Sequence, residues 1–151
     1  MALLAVVGRV QLLSMQNKRK HILIVDDSLD NQTLLKMLLE AKGYNVDCTS
    51  NGEEALCLLH SGTKLPDIIL LDLRMPVMDG FDFRQLQCED PSLKHIPVII
   101  MSGDDNTSVT KLKTNSEVLQ KPLNISTLMA TLERNVFRNS QSEQSIHLGR
   151  H

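Results

Sequence analysis

The stretch IILLDLRMPVMDG, residues 68–80, combines a strand signal, an acidic residue and a turn signal. Its first four residues are branched and apolar, which is typical of a strand buried on both faces of a parallel sheet. Asp72 continues this run directly, and Pro76 and the Asp79-Gly80 pair then mark a turn. Burial does not explain an aspartate at this position. Ligands bind at the carboxyl ends of the strands in open parallel sheets, so Asp72 is predicted to lie where chemistry takes place.

Four other segments are predicted to be strands, and three of these are also followed by functional groups. Residues 44–49 alternate between polar and apolar side chains, as an edge strand does. The other three strands and the groups that follow them are residues 22–25 with Asp26 and Asp27, residues 97–101 with Ser102, and residues 117–120 with Lys121.

Helical patterns and capping residues fill the intervals between these strands. N-caps are predicted at Ser28, at Asn51 (with Glu54 in a capping box), at Asp79 and at Asn124. The first helix is predicted to end at Gly43 and to present Leu34, Leu35, Leu38 and Ala41 on its apolar face. The last helix is predicted to end near Phe137, where the composition becomes polar, and residues 104–116 are predicted to hold a short, weak helix at best.

Length and composition indicate one globular domain of the α/β class. The chain has 151 residues, 42% of them hydrophobic and 23% charged, and its net charge of -2 argues against a nucleic-acid-binding surface. Five strands alternating with helical segments predict a three-layer α/β/α sandwich around a parallel sheet with right-handed crossovers. We expect a domain over residues 19–138 and a polar tail over 139–151. Residues 1–18 are an extension, either poorly ordered, a short docking helix, or the product of a start codon assigned before Met15.

Cysteine and histidine usage argues against a structural zinc site. Cys48, Cys57 and Cys88 are not at metal-ligand spacing, and the five histidines are scattered. The odd number of cysteines is typical of reduced thiols in a cytosolic protein. The first fifteen residues are too short to span a bilayer and lack the pattern of a secretory signal, so we expect a cytoplasmic protein without a membrane contact.

The groups after the strands are informative as a set. An aspartate alone after a strand is commonly a loop residue or an N-cap, a serine can cap the next helix, and Lys-Pro is commonly a turn. Two or three carboxylates, a hydroxyl and an ammonium at one sheet edge are harder to explain in this way. Clustered carboxylates repel each other unless a cation lies between them.

These motifs resemble those of the receiver domain of two-component response regulators. The matching residues are Asp26-Asp27, Asp72-x-x-Met75-Pro76-x-Met78-Asp79-Gly80, Ser102 and Lys121-Pro122, and the resemblance covers residues 19–137. It implies a flavodoxin-like fold with the strand order 2-1-3-4-5. It also implies an Mg²⁺-dependent phosphoryl transfer to Asp72 from a histidine kinase or a histidine phosphotransfer protein. The implied roles are Mg²⁺ binding by Asp27, Asp72 and the backbone carbonyl of Arg74, and water-mediated Mg²⁺ binding by Asp26. Ser102 would contact the phosphoryl group, and Lys121 would pair with the phosphoryl group or with Asp72.

The leading hypothesis is a stand-alone receiver that is not an enzyme and that switches partner binding when phosphorylated. Its downstream partner is expected to be an unidentified protein rather than nucleic acid, and the receiver itself is expected to be a monomer or a phosphorylation-dependent dimer.

Two features depart from the family. Residues 104–116 lack the usual Ala-Gly-Ala pattern, and Val118, interpreted as a core valine, replaces a switching aromatic. Arg74, two residues after the acceptor, is expected to tune hydrolysis of the phosphoryl group.

Two other functions compete with this hypothesis. A phosphatase of the haloacid dehalogenase type also uses a strand-end aspartate with Mg²⁺, but it needs a second aspartate two residues later, where this chain has Arg74. A pseudo-receiver that binds partners without phosphorylation is the second alternative, which the unusual segment 104–116 keeps open.

Overall fold

The structure is a computed structural model that describes residues 5–6, 18–62, 64–103 and 116–147. The expected docking helix or extension at the N-terminus lies almost entirely outside the described residues. The expected weak helix over residues 104–116 also falls outside them, apart from Ser116. The boundaries of the domain at 19–138 remain a prediction.

Five parallel strands form one sheet in the order β2-β1-β3-β4-β5, which confirms the predicted fold class. The strands are β1 His21–Val25, β2 Asn45–Thr49, β3 Ile68–Asp72, β4 Val98–Ser102 and β5 Glu117–Gln120. Every residue of β3 and β4 is buried. The apolar runs of both strands are continuous because a layer of helices covers each face of the sheet, as the sequence predicts.

In the described part of the chain, four helices form the two outer layers: α1 Leu29–Ala41, α2 Gly52–Ser61, α3 Gly80–Glu89 and α4 Ile125–His147. α1 and α4 pack on one face of the sheet, and α2 and α3 pack on the other, so that the sheet separates two hydrophobic clusters. Among the described residues, no helix is long and apolar enough to cross a membrane.

The predicted N-caps are all observed, and each marks the residue at which a loop ends and the following helix begins. The side chains of Ser28, Asn51, Asp79 and Asn124 accept hydrogen bonds from backbone N–H groups three residues later, at Asn31, Glu54, Asp82 and Thr127. Gly43 follows α1 with a φ of 92°, a left-handed conformation that glycine adopts without strain.

The buried face of α1 differs from the predicted one. Leu34 is 57% exposed, whereas Leu39, which is not among the predicted apolar-face residues, is fully buried. Leu34-Leu35 and Leu38-Leu39 are adjacent pairs, so leucine positions alone fit more than one helical face. The observed face is centred on Leu35 and Leu39 and includes the buried polar residue Gln32.

Two further expectations are wrong. The last helix does not end near Phe137 but continues to His147, because no glycine or proline occurs between Pro122 and Gly149 and polar residues such as Gln and Glu tolerate a helix. Val118 is 38% exposed and is not a core residue. It lies on β5, which is an edge strand of the sheet and is flanked by another strand on one side only.

Candidate functional site

Three aspartates converge at the carboxyl edge of the sheet. β1 and β3 are neighbours, and Val25 pairs with Leu71, so the next residues along each strand, Asp26 and Asp72, lie at the same level. One carboxylate oxygen from each of Asp26, Asp27 and Asp72 lies within 4.8 Å of the others. Asp26 and Asp72 are buried while Asp27 is exposed. The cluster is thus open to solvent on the side of Asp27.

Lys121 brings a positive charge into this cluster from the other half of the sheet. Its backbone N–H donates to the carbonyl of Ser102 over 2.8 Å, which places it directly beyond the paired ends of β4 and β5. Its Nζ lies 3.3 Å from Oδ2 of Asp72 and 3.5 Å from Oδ2 of Asp26. One ammonium therefore neutralises two buried carboxylates only in part.

Ser102 is the last residue of β4 and is buried. It lines a cleft of about 210 Å³ together with Asp72, Arg74 and Lys121. An adjoining cleft of about 330 Å³ is lined by Asp27, Arg74 and other residues of the β3–α3 loop. The predicted acceptor, hydroxyl and ammonium thus line one solvent-accessible cleft, and Arg74 borders it.

The surroundings of Asp72 compensate the negative charge of its carboxylate only in part. Burial raises its pKa, the Lys121 ammonium opposes this, and the Asp26 carboxylate raises the pKa further. The backbone N–H of Arg74 donates to Oδ1 of Asp72 over a long 3.4 Å. A cation bound beside Asp72 would relieve both the repulsion and the incomplete solvation.

The turn after Asp72 is held by close backbone packing. The N–H of Gly80 donates to the carbonyl of Leu73 over 2.9 Å. A Cβ at Gly80 would lie only 2.3 Å from the carbonyl oxygen of Asp72, so the Asp79-Gly80 signal marks a position that needs glycine. Val77, at the exposed tip of this loop, has a φ of 68°, which is unusual for a β-branched residue.

Two residues that were not predicted from the sequence hold the loop that carries Asp26 and Asp27. Nδ2 of Asn31 lies 3.4 Å from Oδ2 of Asp26. The side-chain amide of Gln32 donates to the carbonyl of Asp26 over 2.6 Å. One signal in the sequence could have revealed Gln32, since it falls at i, i+3 and i+7 with Leu35 and Leu39 and is therefore a polar residue on an apolar helix face.

The chain matches the family model of the response regulator receiver domain over residues 22–133. It is 39% identical over 106 residues to the response regulator PleD of Caulobacter vibrioides, which covers 68% of this chain and 23% of PleD. It is 31% identical over 126 residues to the hybrid signal transduction histidine kinase M of Dictyostelium discoideum, which covers 80% of this chain and 5% of that protein. The chain thus spans a quarter or less of the length of these relatives.

Solved structures agree with the sequence match. The chemotaxis protein CheY4 of Vibrio cholerae superposes with a TM-score of 0.70 at 29% identity, covering 78% of this chain and 98% of CheY4. The receiver domain of the Francisella response regulator 1452 superposes with a TM-score of 0.71 at 28% identity, covering 80% of this chain and 99% of that domain. The family match, the sheet order and the position of the aspartates lead to one conclusion: this chain belongs to the family of response regulator receiver domains.

Proposed function

We propose that this receiver takes up a phosphoryl group on Asp72 in a reaction that requires Mg²⁺. Receiver domains interact with histidine kinases or histidine phosphotransfer proteins, and the donor would be the phosphohistidine of such a protein. The observation that carries the proposal is the position of the Asp72 carboxylate. It belongs to a cluster of three aspartates whose carboxylate oxygens lie within 4.8 Å of one another, it is 3.3 Å from the Lys121 ammonium, and it ends a rigid, buried strand.

The donor set at this edge fits magnesium. Mg²⁺ binds oxygen ligands, and it is usually held by one or two carboxylates while it keeps several waters. Asp27 and Asp72 would hold it directly with the backbone carbonyl of Arg74, and Asp26 would contact it through water. When bound, the ion would neutralise the negative charge that gathers on the phosphoryl oxygens during transfer.

The chemical step proposed for Asp72 is a nucleophilic displacement at phosphorus. A carboxylate oxygen of Asp72 forms a P–O bond as the P–N bond of the phosphohistidine breaks, and the electron pair of that bond stays on the imidazole nitrogen. The product is an acyl phosphate on Asp72. β3 holds the nucleophile in place, as an in-line attack requires. The Lys121 ammonium and the Ser102 hydroxyl would then contact phosphoryl oxygens.

Phosphorylation would act by changing charge at one edge of the sheet. An aspartyl phosphate that ionises like other protein phosphates carries roughly -1.5 to -2 charges near neutral pH. Lys121 would reorient toward this group, and the change would alter the binding of a downstream protein or favour a dimer. We place the reaction in the cytoplasm, which fits the free thiols of Cys48, Cys57 and Cys88.

Intact-mass measurement with a small phosphodonor tests the proposal. Incubation with acetyl phosphate and Mg²⁺ should add about 80 daltons, the mass of one phosphoryl group, and chelation of Mg²⁺ should abolish the gain. The same preparation should not turn over p-nitrophenyl phosphate, because Arg74 stands where a phosphatase would need a second aspartate. No mass gain would refute the proposal, and sustained turnover would favour the phosphatase.

A further inference from the structure

We infer that Gln32 is a positioning residue, one that fixes the main chain of the Asp26-Asp27 pair so that these aspartates can bind magnesium. The inference rests on the proposed function, because it concerns the same metal site. Gln32 lies on the sheet-facing side of α1 and is 8% exposed. It is a polar residue on an otherwise apolar face, and it does not itself belong to the aspartate cluster.

The side-chain amide of Gln32 joins the ends of two strands. Its Nε2 lies 2.6 Å from the carbonyl oxygen of Asp26, 3.2 Å from the carbonyl oxygen of Thr49 and 3.3 Å from Oγ of Ser50. The carbonyl of Thr49 also accepts the backbone N–H of Asp26 over 3.1 Å. Asp26 is therefore held through its N–H by the end of β2 and through its carbonyl by Gln32.

The carbonyl of Asp26 is the group through which Gln32 acts on Asp27. This carbonyl belongs to the planar peptide unit that links Asp26 to Asp27. Its orientation sets the direction in which the chain enters Asp27, and hence the position of the exposed Asp27 carboxylate relative to the two buried ones. Because Asp27 is exposed, a contact to this peptide unit bears directly on where its carboxylate lies. Residues that orient metal ligands commonly alter metal affinity when they are replaced.

If Gln32 only stabilised the fold, its replacement would lower stability without changing magnesium affinity. Another glutamine in the chain serves as a matched control for this distinction. Gln87 is also a buried glutamine, and its Nε2 also donates to two main-chain carbonyls, those of Leu93 at 2.9 Å and Ile96 at 3.0 Å. These carbonyls precede β4 and lie at the opposite edge of the sheet from the aspartates. Gln87 thus matches Gln32 in type, in burial and in donating to two main-chain carbonyls, although its side-chain oxygen also accepts from Arg84, and it differs in acting at the end of the sheet away from the aspartates.

The experiment compares Gln32→Met with Gln87→Met in the full chain. Methionine keeps the length of the side chain and removes the donor. Thermal unfolding should show that both variants lose stability, since each leaves buried carbonyls without this donor. Magnesium affinity should separate them. Titration of Mg²⁺, followed by the amide shifts of Asp27 and Asp72, should give a dissociation constant raised roughly tenfold in Gln32→Met and unchanged in Gln87→Met.

Each outcome bears on the inference. Equal magnesium affinities in Gln32→Met and Gln87→Met would overturn it. If Gln32→Met fails to fold, Gln32→Asn takes its place, because a shorter carboxamide withdraws the donor from the Asp26 carbonyl; wild-type magnesium affinity in that variant would also overturn the inference. Absence of magnesium binding by the wild type would overturn the proposed function together with the inference. Magnesium binding without phosphorylation would overturn only the proposed function, since the affinity comparison decides the inference without any phosphoryl transfer.

Discussion

Replacing Asp72 by asparagine is expected to stabilise the magnesium-free protein at neutral pH. Asparagine keeps the shape of the side chain and removes a charge that the fold does not fully compensate. Burial and the Asp26 carboxylate raise the pKa of Asp72 more than Lys121 lowers it. The ionised form of Asp72 therefore reduces the free energy of unfolding. The negative charge that the proposed phosphoryl transfer needs at Asp72 would thus lower the stability of the magnesium-free protein.

The size of this effect follows from three contributions, of which one stabilises the ionised Asp72 and two destabilise it. With an effective dielectric constant of about 20, the Lys121 ammonium at 3.3 Å attracts an ionised Asp72 by roughly 5 kcal/mol. The Asp26 carboxylate, at no more than 4.8 Å, repels it by roughly 3.5 kcal/mol or more. Removal of the Asp72 charge from water costs several kcal/mol in addition, taken here as about 3.5 kcal/mol. The balance is a net destabilisation of about 2 kcal/mol, which corresponds to roughly 6 °C in melting temperature for a domain of this size.

The difference between wild type and Asp72→Asn should depend on pH in a defined direction. The pKa of Asp72 is higher in the folded state than in the unfolded state. Protonation therefore favours the folded state, and the destabilisation develops as the pH rises through the unfolded and then the folded pKa. Below the ordinary carboxyl range Asp72 is neutral in both states, and the two proteins should have similar stabilities.

Thermal unfolding in chelator, with and without added Mg²⁺, is the assay. Asp79→Asn is the matched control, because its side chain caps α3 and asparagine caps about as well as aspartate. We expect Asp72→Asn to melt above wild type, Asp79→Asn to melt with wild type, and Mg²⁺ to stabilise wild type more than Asp72→Asn. A magnesium-free Asp72→Asn protein that melts below wild type at neutral pH would refute the charge balance described above.

Three further changes test the turn, the acid stability and the ammonium. Gly80→Ala should lower the free energy of unfolding by about 3 kcal/mol in denaturant titrations, because the new Cβ would lie 2.3 Å from the carbonyl oxygen of Asp72; a loss below about 1 kcal/mol would show that the turn adapts. Hydrogen bonding, chiefly with Ser92, lowers the pKa of Asp90 from 3.8 to about 2, so its stabilisation is present above 3.8 and lost as the pH falls through about 2. Asp90→Asn should therefore flatten the acid limb of a pH–stability profile, and an unaltered limb would contradict the assignment. Lys121→Ala should still be phosphorylated but should lose the amide shifts that phosphorylation induces beyond the site, and a wild-type shift pattern would exclude its role in the response.

The parts of the fold that could be predicted from sequence are those fixed by local chemistry. The apolar run before Asp72 predicts a strand covered on both faces, and β3 is buried at every residue. Ser28 and Asp79 cap helices because their side chains bond to nearby backbone, which needs no tertiary information. Convergence of the aspartates was predictable for a similar reason, since parallel strands bring their carboxyl ends to one edge.

The parts that could not be predicted depend on contacts between distant segments. Gln32 reaches Thr49 across 17 residues, and only the packing of α1 on the sheet reveals which helical face carries it. The same packing decides that Leu39 is buried rather than Leu34. Lys121 lies between two carboxylates rather than beside one, a geometry that depends on the level at which β5 ends. Spacing in the sequence contains no information on these distances.

The most direct test of the central claim is the location of the phosphoryl group. After incubation with acetyl phosphate and Mg²⁺, borohydride reduction of the acyl phosphate followed by peptide mass spectrometry identifies the modified aspartate. We predict a single modified residue, Asp72, and an unmodified Asp72→Asn protein under the same conditions. Modification at Asp26, Asp27 or Asp79, or stoichiometric phosphorylation of Asp72→Asn at the wild-type rate, would contradict the account.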